Sequence, residues 1–121
     1  MRTAVIFGGT GFIGSFFAKH LVEQQGFDKI YLFDLEAIGE KGSSFRLRIV
    51  TENARFVFIR GDVRQQIDWC PHEKISLIAN FSAVHREPGH EDHEYYETNL
   101  RGAQNVCQWA ELVGCVEMIF S

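Results

Sequence analysis

The sequence predicts an α/β fold built as a doubly wound parallel sheet in three αβα layers. Three observations carry that expectation. Short, almost wholly apolar runs recur along the chain, as strands buried on both faces require. Longer stretches with apolar residues three and four apart alternate with them, as crossover helices require. The first strand and the first helix are joined by a glycine-rich turn, Gly8-Gly9-Thr10-Gly11-Phe12-Ile13-Gly14.

In chain order, Thr3 to Phe7 reads as strand 1, and the segment from Phe12 reads as a helix. Phe12, Ile13, Phe16, Phe17 and Leu21 are its expected apolar face, and Gly26 its stop. Ile30 to Phe33 is strand 2, ending at Asp34. After the polar stretch Gly39 to Ser44, Phe45 to Glu52 has a weak pattern for a short helix. Arg55 to Arg60 is strand 3, and Gly61-Asp62-Val63 is the turn leaving it. Val63 to Trp69 is expected to be a short crossover of one or two helical turns, closed by Pro71. Ile75 to Phe81 is strand 4. Asp92 to Val113 is the longest helical pattern, with Leu100, Ala103, Val106, Cys107, Ala110 and Val113 along one face. Gly114 ends it, and Val116 to Phe120 is strand 5. The expected strand order is 3-2-1-4-5, and the sheet is truncated after strand 5.

The glycine turn fits Gly9-x-Gly11-x-x-Gly14, and Gly8, Gly11 and Gly14 also repeat every three residues. The first glycines permit a tight turn, the middle one admits a pyrophosphate, and the last allows close helix packing. The free amides and positive end of the following helix would face the phosphates. Asp34, 20 residues past Gly14, stands where an acid would accept from a ribose hydroxyl. This is a Rossmann-type dinucleotide fingerprint, and the order of strands places its ligand where strands 1 and 4 diverge.

The 121 residues are one domain's worth of chain. A net charge of −4 argues against nucleic acid and anionic membrane surfaces, which favour basic excess. No apolar stretch reaches the length that spans a bilayer. The N-terminus enters strand 1 directly, which is not the pattern of a signal peptide. Cys70, Cys107 and Cys115 lack metal or redox spacing and read as free thiols, so the cytoplasm is the expected location. His85, His90 and His93 with Glu87, Glu91 and Glu94 could suggest a metal, but a solvated acidic loop accounts for them better. The 11 Phe are better explained by core filling than by a cofactor cage.

Four motifs together resemble the extended short-chain dehydrogenase/reductase family, particularly its NAD-dependent nucleotide-sugar epimerases and dehydratases. They are Gly8 to Gly14, Gly61-Asp62-Val63, Asn80-Phe81-Ser82-Ala83-Val84-His85-Arg86, and Tyr95-Tyr96-Glu97-Thr98-Asn99-Leu100-Arg101-Gly102. Met118 to Ser121 looks like the strand before that family's catalytic serine or threonine. The resemblance implies NAD as cofactor, held by Gly8, Gly11, Phe12, Ile13, Gly14, Asp34, Leu35, Asp62, Val63, Phe81, Ser82, Ala83, Asn99 and Ser121. Asp62 would accept from the adenine amino group, with Val63 against the ring; the alternative is a solvated turn acid. Phe81, Ser82 and Ala83 would wall the ribose and nicotinamide side. Asn99 would hold main chain near the active site; the alternative is a plain mid-helix polar residue.

Two positions depart from the resemblance. Ala83 and His85 stand where related epimerases often carry glycine and lysine. His85 and Arg86 are then either basic groups near phosphate or a solvated pair balanced by Glu87. The family's Tyr-x-x-x-Lys pair is absent: Tyr31, Tyr95 and Tyr96 are followed four residues later by Leu35, Asn99 and Leu100. No catalytic residue is therefore expected within residues 1–121, which read as an incomplete NAD(P)-binding Rossmann domain without the catalytic segment or substrate lobe. The intact protein would bind a UDP-, GDP- or dTDP-linked sugar, and a homo-oligomer is the expected assembly. A carbonyl reductase of the same superfamily and a non-catalytic dinucleotide sensor stay open as alternatives.

Overall fold

The computed structural model describes residues 1–35, 53–82, 92–115 and 117–120, with side chains of the last helix described from Asn99 onward. The elements are β1 (Thr3–Phe7), α1 (Phe12–Gln25), β2 (Lys29–Asp34), β3 (Phe56–Arg60), β4 (Leu77–Asn80), α2 (Asp92–Val113) and β5 (Met118–Phe120). They form one parallel sheet in the order β3-β2-β1-β4-β5, as the sequence predicts. The segment Phe45 to Glu52, the loop with the histidines, Ala83, Val116 and Ser121 lie outside the described residues.

β1 is the central strand, and all five of its residues are buried. It pairs Ala4 with Ile30 on one side and with Leu77 on the other. Alternation along the strands divides the core in two. Ala4, Ile6, Ile30, Leu32, Leu77 and Ala79 meet Ala18, Leu21 and Val22 of α1 on one face. Val5, Phe7, Tyr31, Phe33 and Ile78 meet Val106, Trp109 and Ala110 of α2 on the other. One helix on each face of a parallel sheet is the three-layer doubly wound arrangement.

The structure keeps part of each expected helix face, with Leu21 buried and Phe17 packed against the core on α1, and corrects the rest. α1 buries Gly14, Ser15, Ala18, Leu21 and Val22. Phe12 and Ile13, expected inside, are 68% and 60% exposed. Two stripes of helical spacing overlap on α1, and the one with small residues wins because it lets the helix axis lie close to the sheet. On α2, Val106 and Ala110 are buried as expected, but Gly102 and Trp109 join them, whereas Leu100 and Cys107 face solvent.

The connection between β3 and β4 is also different. Its expected helical turns are absent, and a tight turn is followed by irregular chain. The Asp62 carboxylate accepts from the Arg64 amide at 2.9 Å, and the Gln65 amide donates to the Asp62 carbonyl at 3.1 Å. Such a side-chain turn competes with helix formation. Farther on, Ile67 is buried and Trp69 stacks on Trp109, with ring centroids 5.5 Å apart and planes 10° apart. Tertiary packing holds this segment in place of local hydrogen bonds. Among the described residues no helix is long and apolar enough to cross a membrane.

Candidate dinucleotide site

The carboxyl ends of β1, β2, β3 and β4 bring the turn Gly8 to Gly14, Asp34, Asp62, Phe81 and Ser82 to one edge of the sheet. The turn after β1 starts at Gly8, whose φ of +76° is a left-handed conformation that side chains disfavour. A Cβ there would also lie 2.6 Å from the Ser82 amide nitrogen, so Gly8 is in contact with the end of β4. The Phe81 amide donates to the Phe7 carbonyl at 2.8 Å, which ties Phe81 and Ser82 to the same turn. Asn80 is buried, and its Oδ1 accepts from both the amide and the hydroxyl of Ser82. The Phe81 ring turns back toward α1 and meets Phe17 edge-on at 5.3 Å.

Gly14 and Gly11 do different work. A Cβ on Gly14 would lie 2.3 Å from the Gly8 carbonyl oxygen, so α1 starts in contact with the turn itself. A Cβ on Gly11 would approach only the Gly8 carbonyl oxygen, at 3.3 Å, and otherwise enters open space. Gly11 is the N-cap of α1 and has no side-chain cap, so the first amides of the helix are available to an anion. Phe12 and Ile13 stand exposed beside this opening. The residues present fit a dinucleotide pyrophosphate: a glycine whose Cα faces open space, at an uncapped helix start.

Asp34 is joined to this turn. Its Oδ2 accepts from the Thr10 amide and hydroxyl, and its Oδ1 accepts from the Leu35 amide at 2.8 Å. Leu35 is exposed. Arg60 stands opposite Asp34 in the β2–β3 register, and its Nη1 donates to the Leu35 carbonyl at 2.5 Å. Thr10 and Arg60 are residues the sequence reading did not single out. Their partners lie 24 and 25 residues away, and no local pattern marks them.

Asp62 follows at the end of β3. Arg64 grips its carboxylate through Nε at 2.9 and 3.1 Å and through Nη2 at 2.7 Å. That side-chain hydrogen bonding, outweighing partial burial, holds the Asp62 carboxyl below the usual carboxylate range. Asp62 is thus an ionised acceptor at neutral pH. Val63 packs on α2, where Gly102 faces its side chain. Asn99 is exposed on α2 and sits apart from the glycine turn in sequence and element. Ala83 and Ser121 lie outside the described residues. The edge can bind and orient an adenosine diphosphate; among the described residues it presents no tyrosine–lysine pair at the spacing that chemistry needs.

The profile of the 3-beta hydroxysteroid dehydrogenase/isomerase family matches residues 5–121. The chain belongs to that family, within the extended short-chain dehydrogenase/reductases. The chain is also similar to sugar-nucleotide epimerases and dehydratases. UDP-glucose 4-epimerase of Neisseria gonorrhoeae is 35% identical over 126 residues, spanning 98% of this chain and 36% of the epimerase. The structure of a UDP-galactose 4-epimerase superposes with a TM-score of 0.72 at 25% identity, covering 99% of this chain and 37% of that one. A dTDP-glucose 4,6-dehydratase from Streptomyces venezuelae, solved with NAD and TYD bound, superposes with a TM-score of 0.68 at 26% identity. It matches 98% of this chain and 38% of its own. The extended short-chain dehydrogenase/reductase described here therefore spans little more than a third of these relatives.

Proposed function

We propose that residues 1–121 form the NAD-binding domain of a nucleotide-sugar epimerase or dehydratase, resembling UDP-glucose 4-epimerase. The observation that carries this reading is the open face of Gly11 at the uncapped start of α1, with Asp34 bonded to the same turn. The relatives that act on UDP- and dTDP-linked sugars support the substrate class.

In this reading the amides of Phe12 and Ile13 hold the pyrophosphate beside the open face of Gly11, and Asp34 accepts from the adenosine ribose. Asp62 accepts from the adenine amino group while Val63 flanks the ring. Phe81, Ser82 and Ala83 line the path toward the nicotinamide, Asn99 supports main chain beside the reacting centre, and Ser121 is a further cofactor-binding residue. When bound, NAD supplies a reversible acceptor for hydride. The chain's own contribution is to orient that cofactor and to exclude water beneath it. Residues 1–121 contain no Tyr-x-x-x-Lys, so this reading assigns them cofactor binding and not proton transfer.

Calorimetric titration of the chain with NAD tests the proposal. Saturable one-to-one binding that is lost in Gly11→Val is the expected result. Absence of NAD binding by the wild-type chain would overturn it.

A further inference from the structure

α2 fixes the β3–β4 connection at two points. Asn105 Nδ2 donates to the Val63 carbonyl at 2.7 Å, and one turn later Trp109 Nε1 donates to the Trp69 carbonyl at 2.6 Å. Both bonds join residues 40 or more apart in sequence. Gly102, one turn before Asn105, is buried, and a Cβ there would lie 3.1 Å from Val63 Cγ2. The connection has no regular element between Arg60 and Leu77 to set its own course. Asp62 and Arg64 bond each other across Val63, which fixes the shape of the turn; the Gly61 amide, donating to the Asp34 carbonyl at 2.9 Å, pins its start to β2, and the Asn105 bond to Val63 pins its far side to α2.

We propose that Asn105 is a positioning residue for base recognition: by holding the Val63 carbonyl, it aims the Asp62 carboxylate at the exocyclic group of the bound purine. The inference rests on the assignment of Asp62 to the adenine end. An ionised carboxylate accepts from the amino group of adenine and repels the carbonyl oxygen that hypoxanthine carries at the same place. Arg64, paired to the same carboxylate, would welcome that oxygen if the turn could rotate. Fixing the turn is therefore what separates the two bases.

Asn105→Asp keeps the shape of the side chain but turns a carboxylate oxygen toward the Val63 carbonyl, and Asn105→Ala simply removes the donor. The wild-type chain is expected to prefer NAD over nicotinamide hypoxanthine dinucleotide. Both variants are expected to shrink that preference by about tenfold, the usual effect of one lost hydrogen bond. A general loss of stability would weaken both ligands alike and leave the ratio unchanged. Amide hydrogen exchange without ligand is the second measurement, with faster exchange expected at Val63 to Gln65 in Asn105→Ala. An unchanged base ratio with wild-type NAD binding intact would overturn the positioning role alone. If the wild-type chain binds neither dinucleotide, the assignment of the site fails. Unchanged exchange at Val63 to Gln65 would then reject the anchoring by Asn105 as well.

Discussion

Asp34 Oδ2 accepts two hydrogen bonds from Thr10, one from its amide at 3.1 Å and one from its hydroxyl at 2.8 Å. The acid assigned to the adenosine ribose is thereby also a strut of the phosphate turn. In the proposed reading one carboxylate would serve both halves of the adenosine diphosphate.

Asp34→Ala removes the strut and the ribose acceptor together, and NAD affinity is expected to fall about 10- to 100-fold. Asp34→Asn keeps an acceptor oxygen for Thr10 and removes the negative charge that repels a 2′-phosphate. The wild-type chain should prefer NAD over NADP, and Asp34→Asn should narrow the gap. Parallel titrations with both cofactors check this; tighter binding of NADP than of NAD by the wild-type chain would contradict it.

Gly11 and Gly14 should separate binding from folding. Gly11→Val puts a branched side chain into open space where the pyrophosphate would lie, so NAD binding should vanish while stability drops by about 1 kcal/mol, the scale of a poorer N-cap. Gly14→Ala places a methyl 2.3 Å from the Gly8 carbonyl oxygen and should cost about 3 kcal/mol. Denaturant unfolding of the two variants, compared with their NAD titrations, gives the answer. Equal stability losses would reject the division of labour.

At the opposite end of the sheet, Lys29 Nζ donates to Glu73 Oε2 at 2.6 Å, and the Tyr31 hydroxyl donates to the same carboxylate at 2.7 and 2.9 Å. These bonds, that of Lys29 first, lower the Glu73 pKa from 4.5 to about 2. A carboxylate that titrates lower when folded stabilises the fold fully above its unfolded pKa. That contribution declines as pH falls from about 4.5 through about 2. Urea unfolding at pH 5 and pH 2.5 should show a smaller acid-induced loss for Glu73→Gln than for wild type. An identical loss in both would exclude Glu73 as a contributor.

Thr3 is fully buried at the start of β1, and among the described residues its hydroxyl finds no hydrogen-bond partner. A buried, unsatisfied polar group is unfavourable, whereas Val is isosteric and suits a strand. Thr3→Val should raise unfolding free energy by about 1 kcal/mol. Chemical denaturation measures it, and a destabilised variant would show that the hydroxyl is in fact satisfied.

β5 pairs with β4 on one side, and among the described residues no strand borders its other edge. Ile119 and Phe120 are 39% and 48% exposed there. Open edges with apolar side chains recruit other chains, because burial returns about 25 cal/mol per Å². The 121-residue chain alone is expected to self-associate and to show no epimerase turnover. Light scattering and a sugar-nucleotide assay test the two statements separately: a monomer at high concentration rejects the first, and turnover above background rejects the second.

The apolar runs of β1, β2 and β4, and the spacing of the glycines between Gly8 and Gly14, made the parallel sheet and its phosphate turn legible in the linear chain. Those features are local: a strand buried on both faces must be apolar throughout, and a phosphate turn needs its glycines within a few residues. Asp34 was legible for the same reason, because a strand–helix–strand unit has a nearly constant length. The pairing of Thr10 with Asp34, of Arg60 with the Leu35 carbonyl and of Asn105 with the Val63 carbonyl was not. Each joins residues 24 to 42 positions apart, and only the sheet register and the seating of α2 bring them together. The helix faces were decided at the same level. Phe12 and Ile13 have helical spacing as good as that of Gly14, Ser15 and Ala18, but periodicity cannot measure how closely a helix can approach a sheet. Packing can, and it buried Gly14, Ser15 and Ala18 and left Phe12 and Ile13 at the mouth of the site.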